Sequence, residues 1–233
     1  MKLALLSDIH ANSLALSVVL DAAKAKGVTE LLVAGDLVGY YFSPKEVIDL
    51  LASWHAHIVR GNHEEMLSQS IDNPEYLEEV SRRYGSGIKE AIIQLSTVEL
   101  DFLCTLPHPL ELEIAGRNIL LCHGAPHDLN CYLYPDNDLK QLDLSGLRRF
   151  DLVVTGHTHY SMQRIIGDAT LLVNPGSVGQ PRNRQPGAHW MLYDTDTGEI
   201  TLHCEAYDYS LIQAEARKRH PELPYLADVL GRK

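Results

Sequence analysis

Over its first third the chain alternates short apolar runs with longer amphipathic stretches, and this rhythm constrains the fold more than any other feature. "LALLSD" reads as a buried strand, "ANSLALSVVLDAAKAKG" as an amphipathic helix closed by Gly27, and "ELLVAGD" as a second strand. "SPKEVIDLLASW" is a helix opened by Ser43 and Pro44, and "AHIVRGN" is a third strand. Strand–helix–strand units at this pitch imply parallel strands joined by right-handed crossovers. Residues from about 64 to 106 read as a mostly helical insert. Beyond it, "LELEIAGRNILLCHGA" is a hairpin turning at Ala115-Gly116, "DLKQLDLSGLRRF" a helix and "DLVVTGHTH" a strand. Short strands follow, and the helices "SLIQAEARKRH" and "LPYLADVLG" close the chain. With no linker or repeat, 233 residues suit a single α/β domain in which two sheets pack together.

The chemistry sits at the ends of the apolar runs. In open α/β sheets, ligands bind outside the carboxyl ends of the strands. Reading only those ends gives Asp8 with His10, then Asp36, then Asn62 with His63 and Glu64, then His123, then His157 with His159. In an extended chain residues two apart share a side, so the two histidines of "GHTH" can converge on one spot. Oxygen and nitrogen donors without thiolates suit Mn²⁺, Fe²⁺/³⁺ or Zn²⁺. Asp8, His10, Asp36, Asn62, His123, His157 and His159 are more donors than one tetrahedral ion needs, and they fit two ions if one carboxylate bridges. Two such ions, roughly 3.5–4 Å apart, can clamp the attacking and leaving oxygens of a displacement at phosphorus.

"SDIHAN", "AGDLVG", "RGNHEE", "CHGA" and "TGHTH" occur in this order and resemble the motifs of the calcineurin-like metallophosphoesterases. The later "NPGSVGQPR" is similar to the small bacterial members of that superfamily. The resemblance implies a four-layer α-β-β-α sandwich of two mixed sheets, with a dinuclear metal centre above them. It implies that Asp8, His10 and His159 hold one ion and Asn62, His123 and His157 the other, with Asp36 bridging. His63 would be the non-ligand histidine that faces the phosphate. The cofactors would be two divalent or trivalent ions, manganese first, with iron, zinc, nickel or cobalt as alternatives. The implied reaction is hydrolysis of a small phosphodiester or phosphomonoester, a nucleotide among the candidates. A metal-bridging hydroxide would attack, and His63 would protonate the leaving oxygen or stabilise the transition state. Gly39-Tyr40-Tyr41 stands where the protein phosphatase branch carries Asp-Arg-Gly. That departure counts against a phosphoprotein or dinucleoside-polyphosphate phosphatase. A non-catalytic scaffold of the retromer-subunit type should have lost ligands, and this chain keeps each of them.

Asn12, Arg60, His127 and Arg182, with Arg184 beside it, are candidate substrate contacts; Asn12 suits the N-cap of the first helix at least as well. Asn174 to Ser177 read as a tight turn supporting the site. His55 and His57 show no ligand-like placement, and Cys122 should point away from His123. A formal charge of −11 argues against extended nucleic acid as a partner. It leaves room for a small phosphorylated substrate, because bound cations reverse the local potential. Four scattered cysteines suggest free thiols. "MKLALLSDIH" is interrupted too early for a signal peptide, and no apolar run spans a membrane, so a cytoplasmic protein is expected. A homodimer is compatible with the pattern, though nothing in it requires one.

Overall fold

A computed structural model of the chain describes residues 1–138 and 145–233. Strands β1 (Lys2–Leu6), β2 (Glu30–Val33) and β3 (Ala56–Ile58) pair in parallel and alternate with helices α1 (Ser13–Ala25) and α2 (Pro44–Ala52). Four helices follow without a strand between them: α3 (Asn62–Ser70), α4 (Pro74–Tyr84), α5 (Gly87–Gln94) and α6 (Thr97–Thr105). Next come β4 (Leu110–Ile114), β5 (Arg117–Leu121), β6 (Leu152–Val154), β7 (Ser161–Ile166), β8 (Thr170–Pro175), β9 (Ala188–Asp194) and β10 (Ile200–Glu205). Helices α7 (Ser210–Arg219) and α8 (Tyr225–Asp228) lie beyond the last strand.

The strands form two five-stranded sheets, ordered β10-β9-β1-β2-β3 and β4-β5-β6-β8-β7. Each is mixed. In the first, β9 runs antiparallel to both β1 and β10. In the second, β5, β6 and β8 are parallel, while β4 and β7 are antiparallel flanks.

The alternation within β1 shows why both faces of its sheet are apolar. Leu3 and Leu5 point between the sheets, into a core with Leu121, Leu152, Val154 and Val173. Ala4 and Leu6 point the other way, into a core with Leu16 and Val19 of α1. Over the outer face of the second sheet, Leu120, Phe150, Val153 and Leu172 pack with Leu147 of a 3₁₀ turn, Ser145–Arg149. That turn replaces the α-helix expected over "DLKQLDLSGLRRF" where the segment is described; residues 139–144 lie outside the described residues. Cys122 faces this outer core, fully buried, as its position beside His123 predicts. Among the described residues no helix is long and apolar enough to cross a membrane.

The chain's last helices are the part of the fold that most affects the polar edge. Leu226 and Leu230 pack on Tyr41, whose hydroxyl donates to Leu226 O at 3.0 Å. The segment from Pro224 onward is thereby held against the loop that follows β2.

Candidate metal centre

Two loops build the floor of the site by zipping together. After β1, the amides of Asp8, Ile9, His10 and Ala11 donate to carbonyls of Gly35, Asp36, Asp36 and Leu37 in the loop after β2. This backbone ladder sets Asp8 and His10 beside Asp36. Glu64 then fixes the loop from the third side. Its carboxylate accepts from the amides of Asp36 (2.9 Å), Leu37 (2.8 Å), Val38 (3.2 Å) and Gly61 (2.8 Å). Because Glu64 also closes a capping arrangement with Gly61, the chain turns into α3 at once. Asn62 and His63 therefore lie in the first turn of a helix; the strand read as "AHIVRGN" stops at Ile58.

The side chains gather in two groups on either side of Asp36. Asp8 Oδ1 lies 3.3 Å from His159 Nε2 and 3.8 Å from His10 Nε2. On the other side, His123 Nε2 lies 2.9 Å from Asn62 Oδ1 and 3.2 Å from His157 Nδ1. Asp36 Oδ2 is between them, 3.7 Å from His10 Nε2 and 3.5 Å from His123 Nε2. All seven side chains are buried. "GHTH" thus supplies one imidazole to each group, but not as an extended strand. β6 ends at Val154, and the chain then turns, with Thr158 N donating to Gly156 O.

The tautomers show what these groups fit. Nδ1 of His10, His159 and His123 faces the carbonyls of Val38, Gln180 and Ala34 at 3.1, 2.7 and 2.7 Å. A carbonyl only accepts, so each Nδ1 carries its ring's proton and each Nε2 turns a lone pair inward. His10 Nε2 and His159 Nε2 then face each other, lone pair to lone pair, at 3.2 Å. His123 Nε2 likewise faces the acceptors of Asn62 and Asp36. Asp8 Oδ1 has no hydrogen-bond donor among the described residues. Acceptors crowded together in this way fit a cation, and this donor set fits divalent metal ions.

The electrostatics agree. Burial, with the Asp36 carboxylate adding to it, raises the Asp8 carboxyl to about 7. Burial and then repulsion from Glu64 lift Asp36 well above the carboxylate range. Burial drives His10 and His159 well below the usual imidazole value and takes His157 down to about 3. The recess by itself favours neutral acids and neutral imidazoles; nearby cations reverse that preference for the carboxylates.

The backbone is strained where the donors stand. Asp8, His10, Asp36, His157 and His159 all have left-handed φ, between 51° and 70°. For non-glycine residues that conformation costs on the order of 1–3 kcal/mol each, and it clusters at functional sites.

His63 is buried against Tyr40 and His10, with ring centroids 4.7 Å from each. Its Nδ1 has no hydrogen-bond partner among the described residues, and burial first, then neighbouring positive charge, lowers it to about 3, so the ring is neutral at pH 7. Gly39 makes the space for it. At Gly39 φ is +87°, and a Cβ would sit 2.0 Å from His63 Nδ1. Gly39→Ala is expected to displace the ring, lowering kcat/KM at least about tenfold and stability by about 1–3 kcal/mol, as read by turnover and thermal melting.

The remaining candidates separate clearly. Arg182 lines the recess, donating from Nη2 to Tyr40 Oη and Gln180 Oε1, each at 3.2 Å. Asn12 does not face it. Its Oδ1 caps α1 through Ala15 N, and its Nδ2 donates to Gly179 O and Tyr207 Oη. Arg60 is not among the lining residues, because the chain has already turned toward α3 and its amide donates to Pro107 O. His127 and Arg184 are exposed outside the recess. Asn174 supports the "GHTH" turn, its Nδ2 donating to Gly156 O and Thr158 Oγ1. His55 and His57 do meet a carboxylate, Glu30, but as partly exposed ion pairs away from the recess. Sequence reasoning passed over Glu64 as a builder of the site, and it left Tyr84 and Tyr132, which help to wall the recess, unmentioned.

Residues 1–198 match the family model described as the calcineurin-like phosphoesterase superfamily domain. The chain belongs to this superfamily. It is 28% identical to an uncharacterized protein of Methanocaldococcus jannaschii, over 88% of each chain. Among solved structures it is similar to a metallophosphoesterase from Sphaerobacter thermophilus, with TM-score 0.77 and 27% identity over 97% of this chain and 98% of that one. A hypothetical protein from Pyrococcus horikoshii shares the fold at TM-score 0.85 and 20% identity, covering 100% and 99%. The two mixed sheets flanked by helices are the metallophosphoesterase architecture.

Proposed function

We propose that the chain is a dinuclear metal-dependent phosphoesterase acting on a small phosphodiester or phosphomonoester. In this reading Asp8, His10 and His159 hold one ion, Asn62, His123 and His157 hold the other, and Asp36 bridges. The observation that carries it is the pair of inward-facing imidazole groups on opposite sides of Asp36 Oδ2. Ions bound there supply Lewis-acid charge to the phosphate oxygens and activate water near neutral pH.

The chain's own residues do the rest. Arg182 keeps its charge: burial opposes it, but Tyr40, Asp8 and Tyr132 outweigh that and raise its pKa. Its guanidinium therefore offers a fixed positive group to an entering phosphate. His63, neutral and walled by Tyr40 and Tyr84, presents a ring nitrogen that can hydrogen-bond the leaving oxygen as its ester bond breaks. The aromatic walls limit water around that oxygen. No covalent intermediate on the protein is required. Manganese is the ion we favour, and the unpaired cysteines agree with a reducing cytoplasmic setting. The intact donor set argues against a scaffold that has lost its chemistry.

The test begins with metal-stripped protein. Adding back Mn²⁺ should bind two ions per chain and restore turnover of a chromogenic diester or its monoester. At one hundred times its Kd, a ligand adds about 2.7 kcal/mol per site, which corresponds to roughly 5–10 °C in melting temperature for a chain of this size. Fewer than two ions bound, or turnover indifferent to metal, would sink the reading.

A further inference from the structure

The metal recess opens into a cleft of about 830 Å³. Tyr40, Tyr84, Tyr132 and Arg182 line both, so the two spaces adjoin across these side chains. Inorganic phosphate needs only a small part of such a volume; it matches sites for whole organic ligands. Part of its wall comes from Pro224 to Arg232, beyond residues 1–198 that match the family model. The cleft therefore carries information about this chain that its family membership does not.

Two features define what the cleft fits. Five tyrosines line it, and two of them are substantially exposed: Tyr225 at 39%, and Tyr132 at 47%, although the Tyr132 ring already stacks with Tyr134 and lies 4.1 Å from the His157 ring. Base–aromatic stacking is worth about 1–3 kcal/mol per base and tolerates any base. The second feature is charge. In a chain of net charge −11, this cleft gathers Arg83, Arg182 and Arg232 against one carboxylate among the described residues, Asp228. Asp228 is itself paired with Arg217 at 3.2 Å. Among the described residues Arg83 meets one carboxylate, solvent-exposed Glu79 at 4.0 Å, and its guanidinium lies 5.5 Å from the Tyr84 ring centroid. Arg182 lines recess and cleft alike, whereas Arg83 and Arg232 line the cleft alone. These two guanidiniums are placed for an anion other than the phosphate in the recess.

We propose that the cleft is a leaving-group subsite for a short nucleotide diester that carries a second, terminal phosphate. The scissile phosphate sits in the recess beside Arg182, a base lies against Tyr132 or Tyr225, and Arg83 with Arg232 holds the terminal phosphate. The assignment rests on the phosphoesterase reading above. Water adds to phosphorus, the bond from phosphorus to the 3′ oxygen breaks, and that oxygen leaves as a hydroxyl after taking a proton. A 5′-phosphorylated dinucleotide thus gives two 5′-mononucleotides, with no redox partner.

The experiment uses the Mn²⁺-loaded full chain and three probes: 5′-phosphorylated diadenylate, the same dinucleotide without its 5′ phosphate, and bis-p-nitrophenyl phosphate. The wild type should prefer the phosphorylated dinucleotide over the unphosphorylated one by about 100-fold in kcat/KM, as two charge-assisted contacts would give. Arg83→Ala combined with Arg232→Ala should erase that preference, mainly through KM. It should leave bis-p-nitrophenyl phosphate within about twofold, since neither side chain lines the recess. Equal rates for the two dinucleotides, or a double variant that slows all three probes alike, would overturn the subsite while the phosphoesterase reading stood. If the wild type leaves bis-p-nitrophenyl phosphate untouched, the diester reading fails and the subsite falls with it; the broader phosphoesterase reading falls too only if p-nitrophenyl phosphate is also left untouched.

Discussion

Asp36→Asn is expected to lower kcat/KM by at least about 10³-fold while leaving the metal-free protein as stable as the wild type or more so. The activity loss should exceed the 10–100-fold typical of losing a partner one step removed from a metal. Asp36 Oδ2 faces both imidazole groups, so the exchange is expected to weaken both candidate sites at once. The stability expectation follows from the sign of the pKa shift. Burial, then Glu64, raises the folded-state Asp36 well above its ordinary value. Above the unfolded pKa, the unfolded chain ionises this group more readily than the native recess does, so the ionised aspartate disfavours folding at pH 7. Asparagine removes that term and keeps an oxygen able to accept from His63 N, as Asp36 Oδ1 does at 2.9 Å. Chelator-treated samples compared by urea denaturation, with turnover run in parallel, separate the two effects. A variant within tenfold of wild-type activity would remove Asp36 from the bridging position.

Glu64→Ala is expected to be the most damaging single substitution to stability, costing at least about 4 kcal/mol, a large share of the 5–15 kcal/mol that holds most domains together. One carboxylate serves four backbone amides from two separate loops, all in a fully buried setting. Removing it leaves those donors unsatisfied where water does not reach. Glu64→Gln should rescue little. One amide oxygen can still serve Leu37 and Val38, but the new NH₂ group would confront the N–H groups of Asp36 and Gly61. Equilibrium unfolding gives the comparison, and a loss below about 1 kcal/mol for alanine would show that the loop holds without this side chain.

Glu64 also marks where the sequence stops being legible. Most of the candidate metal donors can be read because they stand just beyond an apolar run, and a periodic run announces its own end. Glu64 bonds to backbone amides, which every residue possesses, so its partners leave no trace in residue identity. Arg60 was a candidate as a cation to replace the arginine that Gly39-Tyr40-Tyr41 lacks, and sequence could not show that the chain leaves the strand at Ile58 and turns into α3. The "GHTH" pair was found by an argument about extended chains that its turn does not obey, although both imidazoles reach the recess. The capping role of Asn12 was readable, because a short polar side chain ahead of "SLALSVVL" has a local partner. The tyrosine and arginine cleft was not, since Arg83, Tyr132 and Arg232 come from distant segments that meet only after the C-terminal helices fold back.

The left-handed backbone at Asp8, His10, Asp36, His157 and His159 sets stability and function against each other at the same positions. Glycine would relax each of these residues and would also delete a donor. A library of this gene sorted only for resistance to heat or protease, without metal, should therefore accumulate glycine there. Its survivors would be hardier than the parent and inert. A library sorted for turnover should never contain them.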